Sequence, residues 1–369
     1  MAISPPEVDR RPGLVESARR PVILAAAVVH LLFLVAPLDV LAPIDPHDLG
    51  QRFLHGELPY VDIPFEYPPL AVVPFLVAGL VPSGLAMSSL AVQALLLELV
   101  VLWVVVRPRP EAALRFAVLS MLAFPFLSGG FDMYVVTAIA VATHLLARGD
   151  ARGWWVAAAG VPVKLASATA WVWSRSHLRV AVAAGALAAA VALAPVGAVG
   201  LGTDSWLGYS LERGVQVESV AASLAWVGQA VSGEEHVYAY RFRSWELDGA
   251  GGAAAVSSVL AVLGLAALAL AAWRSRLDPW LASYAAVMLL LVGNKVLSPQ
   301  FVTWAFPLAA VLGGRWFLLH LGVMGVTVWA YAVADTLDTA SAVVVVRNVV
   351  LVTAASAALW TCVRAGQRS

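Results

Sequence analysis

Carboxylates and aromatic rings are concentrated in one short stretch of the chain, residues 44–69, although 61% of the sequence is hydrophobic and only 12% is charged. The acids in this stretch are Asp45, Asp48, Glu57, Asp62 and Glu66. A spacer between two helices needs neither residue type. A positioned carboxylate removes a proton from a reacting hydroxyl, and aromatic rings can stack on sugar faces. The stretch is therefore predicted to bind a hydroxylated substrate and to activate it.

The composition is that of a membrane protein. The mean hydropathy is +0.84, and apolar runs recur along the whole length, as in proteins with many spanning helices. The formal net charge is zero, so no global attraction to nucleic acid is expected. The single cysteine, Cys362, excludes an intramolecular disulfide and a cysteine-based metal cluster. The apolar run that begins near Pro21 lacks a small-residue cleavage site and is predicted to be an uncleaved first helix.

Arginines and acids divide the chain into two sides. The inward arginines are Arg10, Arg11, Arg19, Arg20, Arg107, Arg109, Arg115, Arg148, Arg152, Arg175, Arg179, Arg274, Arg276, Arg315, Arg364 and Arg368. The positive-inside rule assigns them to the cytoplasm, so the acidic segments 43–66 and 201–249 should face outward. One membrane domain, residues 21–363, is expected between cytoplasmic tails at 1–20 and 364–369.

The apolar runs predict an all-α, polytopic fold of about 10–12 transmembrane or re-entrant helices, with the outward loops forming the site. Residues 67–82 contain four prolines and are expected to form a broken or interfacial helix. Residues 154–174 have arginines on both sides, which favours a re-entrant hairpin with Lys164 near its tip. The helices are predicted at 21–41, 84–106, 115–128, 133–147, 178–199, 250–273, 279–293, 300–313, 316–332 and 341–362.

Lys164 and Lys295 are the only lysines among the twenty-three basic residues, and both lie within hydrophobic sequence. An ionised lysine at membrane depth costs ~2.5–3.5 kcal/mol on insertion scales, so it faces a cavity or a partner unless it snorkels to the interface. Arg213 is predicted to lie on the same outward side. The three cations are therefore expected to surround one outward-opening cavity.

Some polar residues also have purely structural interpretations. Arg213 can pair with Glu212 or Glu218 and cap the helix that follows. Asp132 is expected to cap the helix that begins at residue 133, because aspartate is a favoured N-cap residue.

Histidines provide at most one candidate metal ligand. His47 lies between Asp45 and Asp48, and the three side chains could surround a divalent ion. No metal and no other cofactor is assigned. Four further histidines lie at unrelated helix positions without metal-ligand spacing: His30, His144, His177 and His320.

The cations and the acidic loop together suit transfer of a group from a phosphate ester in the membrane. A leaving phosphate is a weak base, so its departure needs positive charge; each cation at ~4 Å contributes ~4 kcal/mol of gross attraction at moderate dielectric constant, before desolvation is subtracted. The attacking hydroxyl needs a base. Asp45 is the first candidate and Asp48 the second, because both directly follow the first helix. Asp62 and Glu66 suit this role less, because the neighbouring prolines indicate a structural bend.

A series of short motifs follows in a characteristic order. The acidic loop contains Gly-x-x-Pro-Tyr-x-Asp at residues 56–62 and Glu-Tyr-Pro-Pro at residues 66–69. Later motifs are Phe131-Asp132, Gly160 with Lys164, Arg213 to Ser219, Asn294 to Gln300, and Arg347-Asn348. The series covers nearly the whole chain and resembles glycosyltransferase family 87, a family of GT-C-type integral-membrane transferases that use polyprenyl-phosphate sugars.

The resemblance implies a catalytic aspartate in the first outer loop, which is Asp45 or Asp48 here. The family usually has a tyrosine a few residues after this aspartate, and this chain has His47-Asp48-Leu49 instead, so the choice between the two aspartates stays open. After Lys164, Leu-Ala-Ser replaces the commoner Leu-Tyr-Pro, a change that concerns the local shape of the cavity and not the lysine.

The resemblance also implies the substrates. The donor is expected to be a polyprenyl-phosphate sugar, with mannose first and arabinofuranose second, and the acceptor a glycan or glycolipid outside a bacterial plasma membrane. Direct attack would invert the anomeric carbon, so a β-linked donor gives an α-linked product. A transporter or lipid flippase is the alternative, although no inverted repeat is visible. The donor phosphate is assigned to Lys164, Arg213 and Lys295, and the remaining substrate contacts to His47, Tyr60, Asp62, Glu66, Tyr67, Asp132, Gln216, Glu218, Asn294 and Gln300.

Overall fold

A computed structural model describes residues 13–36, 45–202, 204–233, 235, 237–333 and 337–367, with side chains described outside residues 13–21 and 333–340. The predictions for the tail up to residue 12, for the end of the first helix at residues 37–41 and for the tail after residue 367 lie outside these ranges. Helices dominate the rest. They are α1 (Gly13–Val35), α2 (Pro46–Leu54), α3 (Val72–Gly79), α4 (Ala86–Val101), α5 (Ala113–Leu127), α6 (Asp132–Ala147), α7 (Arg152–Gly160), α8 (Ala170–Trp173), α9 (Leu178–Val199), α10 (Trp206–Glu212), α11 (Val220–Ser232), α12 (Gly251–Arg274), α13 (Pro279–Gly293), α14 (Phe306–Leu312), α15 (Gly314–Val333) and α16 (Leu337–Gln367).

Within the described ranges, five helical stretches are long and apolar enough to cross a membrane. Shorter apolar helices lie among them, and α13 buries most of its side chains. These features confirm the predicted all-α, polytopic membrane fold. The five stretches are Ser83–Val106, Pro110–Leu127, Leu178–Val199, Gly251–Arg274 and Ser341–Gln367.

Local sequence signals set several helix ends. The Asp278 side chain caps α13 by accepting a hydrogen bond from the Leu281 N–H at 2.8 Å, and Pro279 occupies the first helical position. The bounds of α9 and α13 agree with the helices predicted at 178–199 and 279–293. In contrast, α1 begins at Gly13, before the predicted start at residue 21, because hydropathy marks where lipid contact begins and not where the helix begins.

Two segments that were predicted to be broken are broken. Residues 69–79 form a short 3₁₀ turn followed by α3, and Lys164 lies in the turn between α7 and a second 3₁₀ helix, Leu165–Thr169. The Leu70 N–H donates to the Pro162 carbonyl at 2.9 Å. This hydrogen bond joins the two segments, so the end of the acidic loop lies beside the turn that carries Lys164.

The outer segment between α9 and α12 contains a small sheet that the all-α prediction did not include. Its strands β1 (Val215–Gln216), β2 (Tyr238–Arg241) and β3 (Ser244–Leu247) are antiparallel and lie in the order β1-β3-β2. Gln216 pairs with Glu246, and Tyr240 pairs with Trp245 across the hairpin. The sheet holds the chain after α10 in a fixed position, because β1 pairs with β3, the strand that leads into α12.

Arginines gather at the end of the bundle away from these loops. The Arg109 guanidinium lies 4.5 Å from the Trp280 ring and 3.2 Å from His144, so the end of α6 meets the start of α13. Four further arginines stack on tryptophans, a pairing typical of membrane interfaces. These pairs are Arg107 with Trp103, Arg175 with Trp273, Arg315 with Trp316, and Arg364 with Trp360.

Candidate active site

One cavity of about 430 Å³ lies where the acidic loop, the Lys164 turn, α10 and the end of α13 meet. Charged and polar side chains line it together with apolar side chains of α12 and α13. All three cations predicted to converge line this cavity. The polar lining residues include Glu66, Tyr67, Lys164, Ser210, Arg213, Asn294 and Lys295, and the apolar ones include Leu165, Leu207, Ala261, Val262, Leu265 and Leu290.

Lys164 is held by an ion pair within a ring of aromatic side chains. Its ammonium group donates to Asp132 at 2.7 Å, and the two side chains are only 13% and 4% exposed. The rings of Phe131, Phe301 and Trp304 lie within 5.4 Å of the ammonium nitrogen, and the Trp304 indole also donates to Asp132 at 2.7 Å. The prediction that Asp132 caps a helix is therefore wrong, because the buried ammonium group is a stronger partner for the carboxylate than a backbone N–H.

Close packing fixes the turn that presents Lys164. A side chain at Gly160 would come within 2.6 Å of the Ala138 Cβ atom on α6. Only glycine allows α7 to end this close to α6. The Gly-x-x-x-Lys spacing thus positions the lysine at the cavity wall.

Arg213 follows the last residue of α10 and extends along the cavity. Its Nη2 atom donates to the Ser244 hydroxyl at 2.8 Å, while its buried Nε atom has no partner among the described residues. Neither Glu212 nor Glu218 forms an ion pair with it there, so the expected pairing is wrong. The next residue, Gly214, leaves room for Glu246, because a Cβ atom there would lie 2.5 Å from the Glu246 Oε2 atom and would displace the carboxylate.

Lys295 has a mainly structural set of contacts. Its ammonium group donates to the carbonyls of Leu211, at 2.9 Å, and Arg213, and so satisfies carbonyls that α10 leaves free at its C-terminus. Burial lowers the pKa of Lys295, and the charge of Glu246 offsets part of this effect. One N–H of the ammonium group remains for a ligand.

The acidic loop contributes two of its predicted side chains to the cavity, Glu66 and Tyr67. Tyr60 is only 6% exposed, its ring packs on Phe65, and its hydroxyl donates to the Tyr67 carbonyl at 2.5 Å. It therefore belongs to the packed interior of the loop and not to the cavity wall. Asp62 is exposed and accepts a hydrogen bond from the Leu58 N–H at 2.8 Å within a turn.

The two candidate bases lie at the start of α2, outside the residues that line the cavity. Asp45 and Asp48 are both exposed. The Asp45 carboxylate caps α2 by accepting hydrogen bonds from the N–H groups of His47, at 2.9 Å, and Asp48, at 3.3 Å. The Asp48 carboxylate has no hydrogen-bond partner among the described residues, and the His47 Nδ1 atom is buried without one. In the described ranges, no group of three or more histidine, cysteine, aspartate or glutamate side chains could hold a metal ion.

Glu218 and Gln216 lie in a buried polar network outside the cavity lining. The Gln216 amide donates to Glu218 at 2.9 Å, the Tyr331 hydroxyl donates to the other carboxylate oxygen, and Arg347 donates to the Glu218 carbonyl. Burial raises the pKa of Glu218, against the effects of Arg347 and of the Tyr331 hydrogen bond. With Asn348, which donates to Ser223 at 2.7 Å, the network attaches the outer segment to α15 and α16.

The last two predicted residues have different positions. The Asn294 side chain lines the cavity and accepts a hydrogen bond from the Val296 N–H at 3.1 Å. Gln300 lies outside the lining, with a buried Oε1 atom that lacks a partner in the described part of the chain. Phe301 and Trp304 were not predicted from the sequence, because aromatic residues within an apolar run carry no signal that separates a site from the core. Tyr209, on α10 of the outer segment, was not predicted either.

A comparison with known families gives a match over residues 65–299 to glycosyltransferase family 87. No curated protein and no solved structure matches the chain. The matched range starts in the acidic loop, includes the three cations of the cavity, and covers more than half of the chain. The cavity between membrane helices is thus part of a membrane glycosyltransferase, and the chain belongs to glycosyltransferase family 87.

Proposed function

We propose that this glycosyltransferase takes its sugar from a polyprenyl-phosphate donor and transfers it to a glycan or glycolipid acceptor outside the cytoplasm. Mannose is the first candidate sugar and arabinofuranose the second. The observation that carries the proposal is the chemistry of the cavity, whose lining combines three cations with apolar side chains of two membrane helices. A lipid-linked sugar phosphate has the same two-part character.

The cations of the cavity suit a phosphate. Arg213 offers an unpartnered Nε atom, and a guanidinium group binds phosphate through two parallel hydrogen bonds. Lys164 and Lys295 add positive charge around the same space. Positive charge stabilises a phosphate as it leaves, since negative charge builds on its oxygens during transfer.

The apolar lining residues suit the polyprenyl chain. Val262 lines the cavity and is also 64% exposed on the surface of α12. Only 22% of the apolar window in α12 is buried within the protein, so lipid would cover this surface. The chain of the donor could then extend from the cavity into the membrane beside Val262 without exposing apolar surface to water.

The acceptor hydroxyl requires a base, for which we propose Asp45 or Asp48. Both lie at the start of α2. This helix packs against α3, and both carboxylates are exposed. Attack assisted by such a base inverts the anomeric carbon, so a β-linked donor gives an α-linked product. Glu66, Tyr67 and Asn294 are assigned to the bound donor, because they line the same cavity as the cations.

We also propose a bacterial plasma membrane as the location, with the cavity opening outward. The arginine–tryptophan pairs at the far end of the bundle support this orientation, because arginine-rich ends face the cytoplasm.

A transfer assay tests the proposal. Membranes that contain the wild-type protein are incubated with radiolabelled polyprenyl-phosphate mannose or polyprenyl-phosphate arabinofuranose and a lipid and cell-wall extract. One of the two labels is expected to enter the extract, and Arg213→Gln, expressed at the same level, should lower the rate strongly. No transfer from either donor by wild-type membranes, with transfer from a nucleotide sugar instead, would contradict the proposal.

A further inference from the structure

Glu66 is the acidic residue among the charged residues that line the cavity, and the other charged residues there are cations. It is not the counterion of any of them, because no described lysine or arginine forms an ion pair with it, and Lys164 is paired with Asp132. The charges of Lys164 and Glu66 still act on each other across the cavity. The protein therefore maintains this carboxylate beside a site for an anion, where an unneeded negative charge would weaken binding.

Two phenols lie near the Glu66 carboxylate. Tyr67 follows it in the chain and lines the same cavity, and Tyr209 lies on α10. Burial first, and then the charge of Glu66, raises the pKa of both phenols. The Tyr209 hydroxyl donates to the Phe242 carbonyl at 3.2 Å, and its ring packs edge-on against the Phe242 ring. The single phenolic proton of Tyr209 is thus used within the protein, so Tyr209 does not occupy the Glu66 carboxylate.

The carboxylate has acceptor capacity left for a ligand. An ionised carboxylate can accept about four hydrogen bonds, and at most one of those to Glu66 can come from the Tyr67 hydroxyl. The remaining lone pairs require a ligand with hydroxyl or N–H donors, since a phosphate oxygen would be repelled. Beside a phosphate site in a glycosyltransferase, sugar hydroxyl groups have this chemistry.

We propose that Glu66 binds hydroxyl groups of the donor sugar, and that it sets the preference among donor sugars. This inference rests on the proposed polyprenyl-phosphate donor. Glu66 is a different residue from the proposed bases, because it lies in the wall that binds the donor whereas Asp45 and Asp48 lie at the start of α2.

A binding experiment without an acceptor tests this role. The purified protein in lipid nanodiscs is titrated with polyprenyl phosphate, polyprenyl-phosphate mannose and polyprenyl-phosphate arabinofuranose. Hydrogen bonds to a charged group change affinity by roughly 10- to 100-fold, so one of the sugar lipids should bind the wild-type protein that much more tightly than polyprenyl phosphate. Glu66→Gln should lower this ratio about tenfold while leaving the affinity for polyprenyl phosphate nearly unchanged.

Glu57→Gln is the matched control, because Glu57 lies in the same loop, pairs with Arg52 at 2.6 Å and is absent from the cavity lining. It should keep the wild-type ratio. If Glu66→Gln does not fold, Glu66→Asp decides, with a smaller fall in the same ratio expected. An unchanged ratio, an equal loss of affinity for all three lipids, or equal wild-type affinities would overturn the role of Glu66. Failure of all three lipids to bind the wild-type protein would instead overturn the polyprenyl-phosphate proposal beneath it.

Discussion

Three cations line the cavity, but they are not equally free to bind an anion. Asp132 balances the charge of Lys164 at 2.7 Å, and Lys295 donates to two carbonyls of α10. Arg213 has a single side-chain partner, Ser244, among the described residues. In the proposed function, the net attraction for a phosphate would therefore come mainly from Arg213, with Lys164 providing orientation and Lys295 supporting the backbone.

Changing Asp45 and Asp48 to asparagine, one at a time, should show which of the two is the base. Asn caps helices about as well as Asp, so Asp45→Asn keeps the cap of α2, whereas Asp45→Ala should lower the free energy of unfolding by ~1 kcal/mol. Loss of the base costs ~10²–10⁴-fold in rate. We expect this loss in Asp45→Asn or in Asp48→Asn, measured as transfer in membranes at matched expression. Near-normal rates in both would place the base elsewhere.

Among the elements, α10 depends on a residue far away in sequence. Lys295 follows α13 and yet satisfies the end of α10, and its carbonyl accepts a hydrogen bond from the Gln216 N–H at 2.9 Å. Glu246 accepts from the Gly214 N–H at 3.0 Å on the same turn. The helix, the sheet and the end of α13 thus hold Arg213 from three directions.

Changing Lys295 should loosen this unit. In Lys295→Met, the carbonyls of Leu211 and Arg213 lose their donor, so amide hydrogen exchange in residues 206–216 should become faster and polyprenyl phosphate should bind more weakly. Lys295→Arg can still donate to both carbonyls and should restore slow exchange. Weaker binding in Lys295→Met with unchanged exchange would mean that Lys295 contacts the phosphate and does not position Arg213.

The sequence predicted some of these elements well and others not at all. Helices α9 and α13 are long apolar runs with clear polar ends, so hydropathy alone defines them. The hairpin of β2 and β3 was missed because its strands are four residues long, and because its turn, Phe242-Arg243, adopts left-handed φ angles of 49° and 59° without the Asn-Gly signal that such turns favour. The meeting of the cations was predictable from the cost of an unpaired charge in hydrocarbon, but the choice of Asp132 as a partner was not.

At the scale of the whole molecule, the two ends of the bundle differ in chemistry. Arginine–tryptophan pairs occupy one end, and the cavity with the acidic loop occupies the other. Lipid would reach the cavity beside α12, where Val262 is exposed, and water would reach the exposed carboxylates at the start of α2. Donor and acceptor would thus approach the same site from different phases.

The orientation can be measured by labelling introduced cysteines, because the single natural cysteine, Cys362, is only 1% exposed. Glu57→Cys and Glu235→Cys, in segments that are predicted to face outward, should react with an impermeant thiol reagent on intact cells. Arg152→Cys, whose side chain is 80% exposed at the arginine end, should react only after the membrane is opened. The reverse pattern would overturn the proposed topology.

The most direct test of the account is the position of a bound donor. The protein in lipid nanodiscs with polyprenyl-phosphate mannose, or with the arabinofuranose lipid if that binds more tightly, would be imaged by cryo-electron microscopy. The account predicts the phosphate within hydrogen-bond distance of Arg213, the sugar beside Glu66, and the chain leaving along α12 past Val262. A donor bound instead in the groove beside Trp103 and Arg107, with the cavity empty, would contradict it.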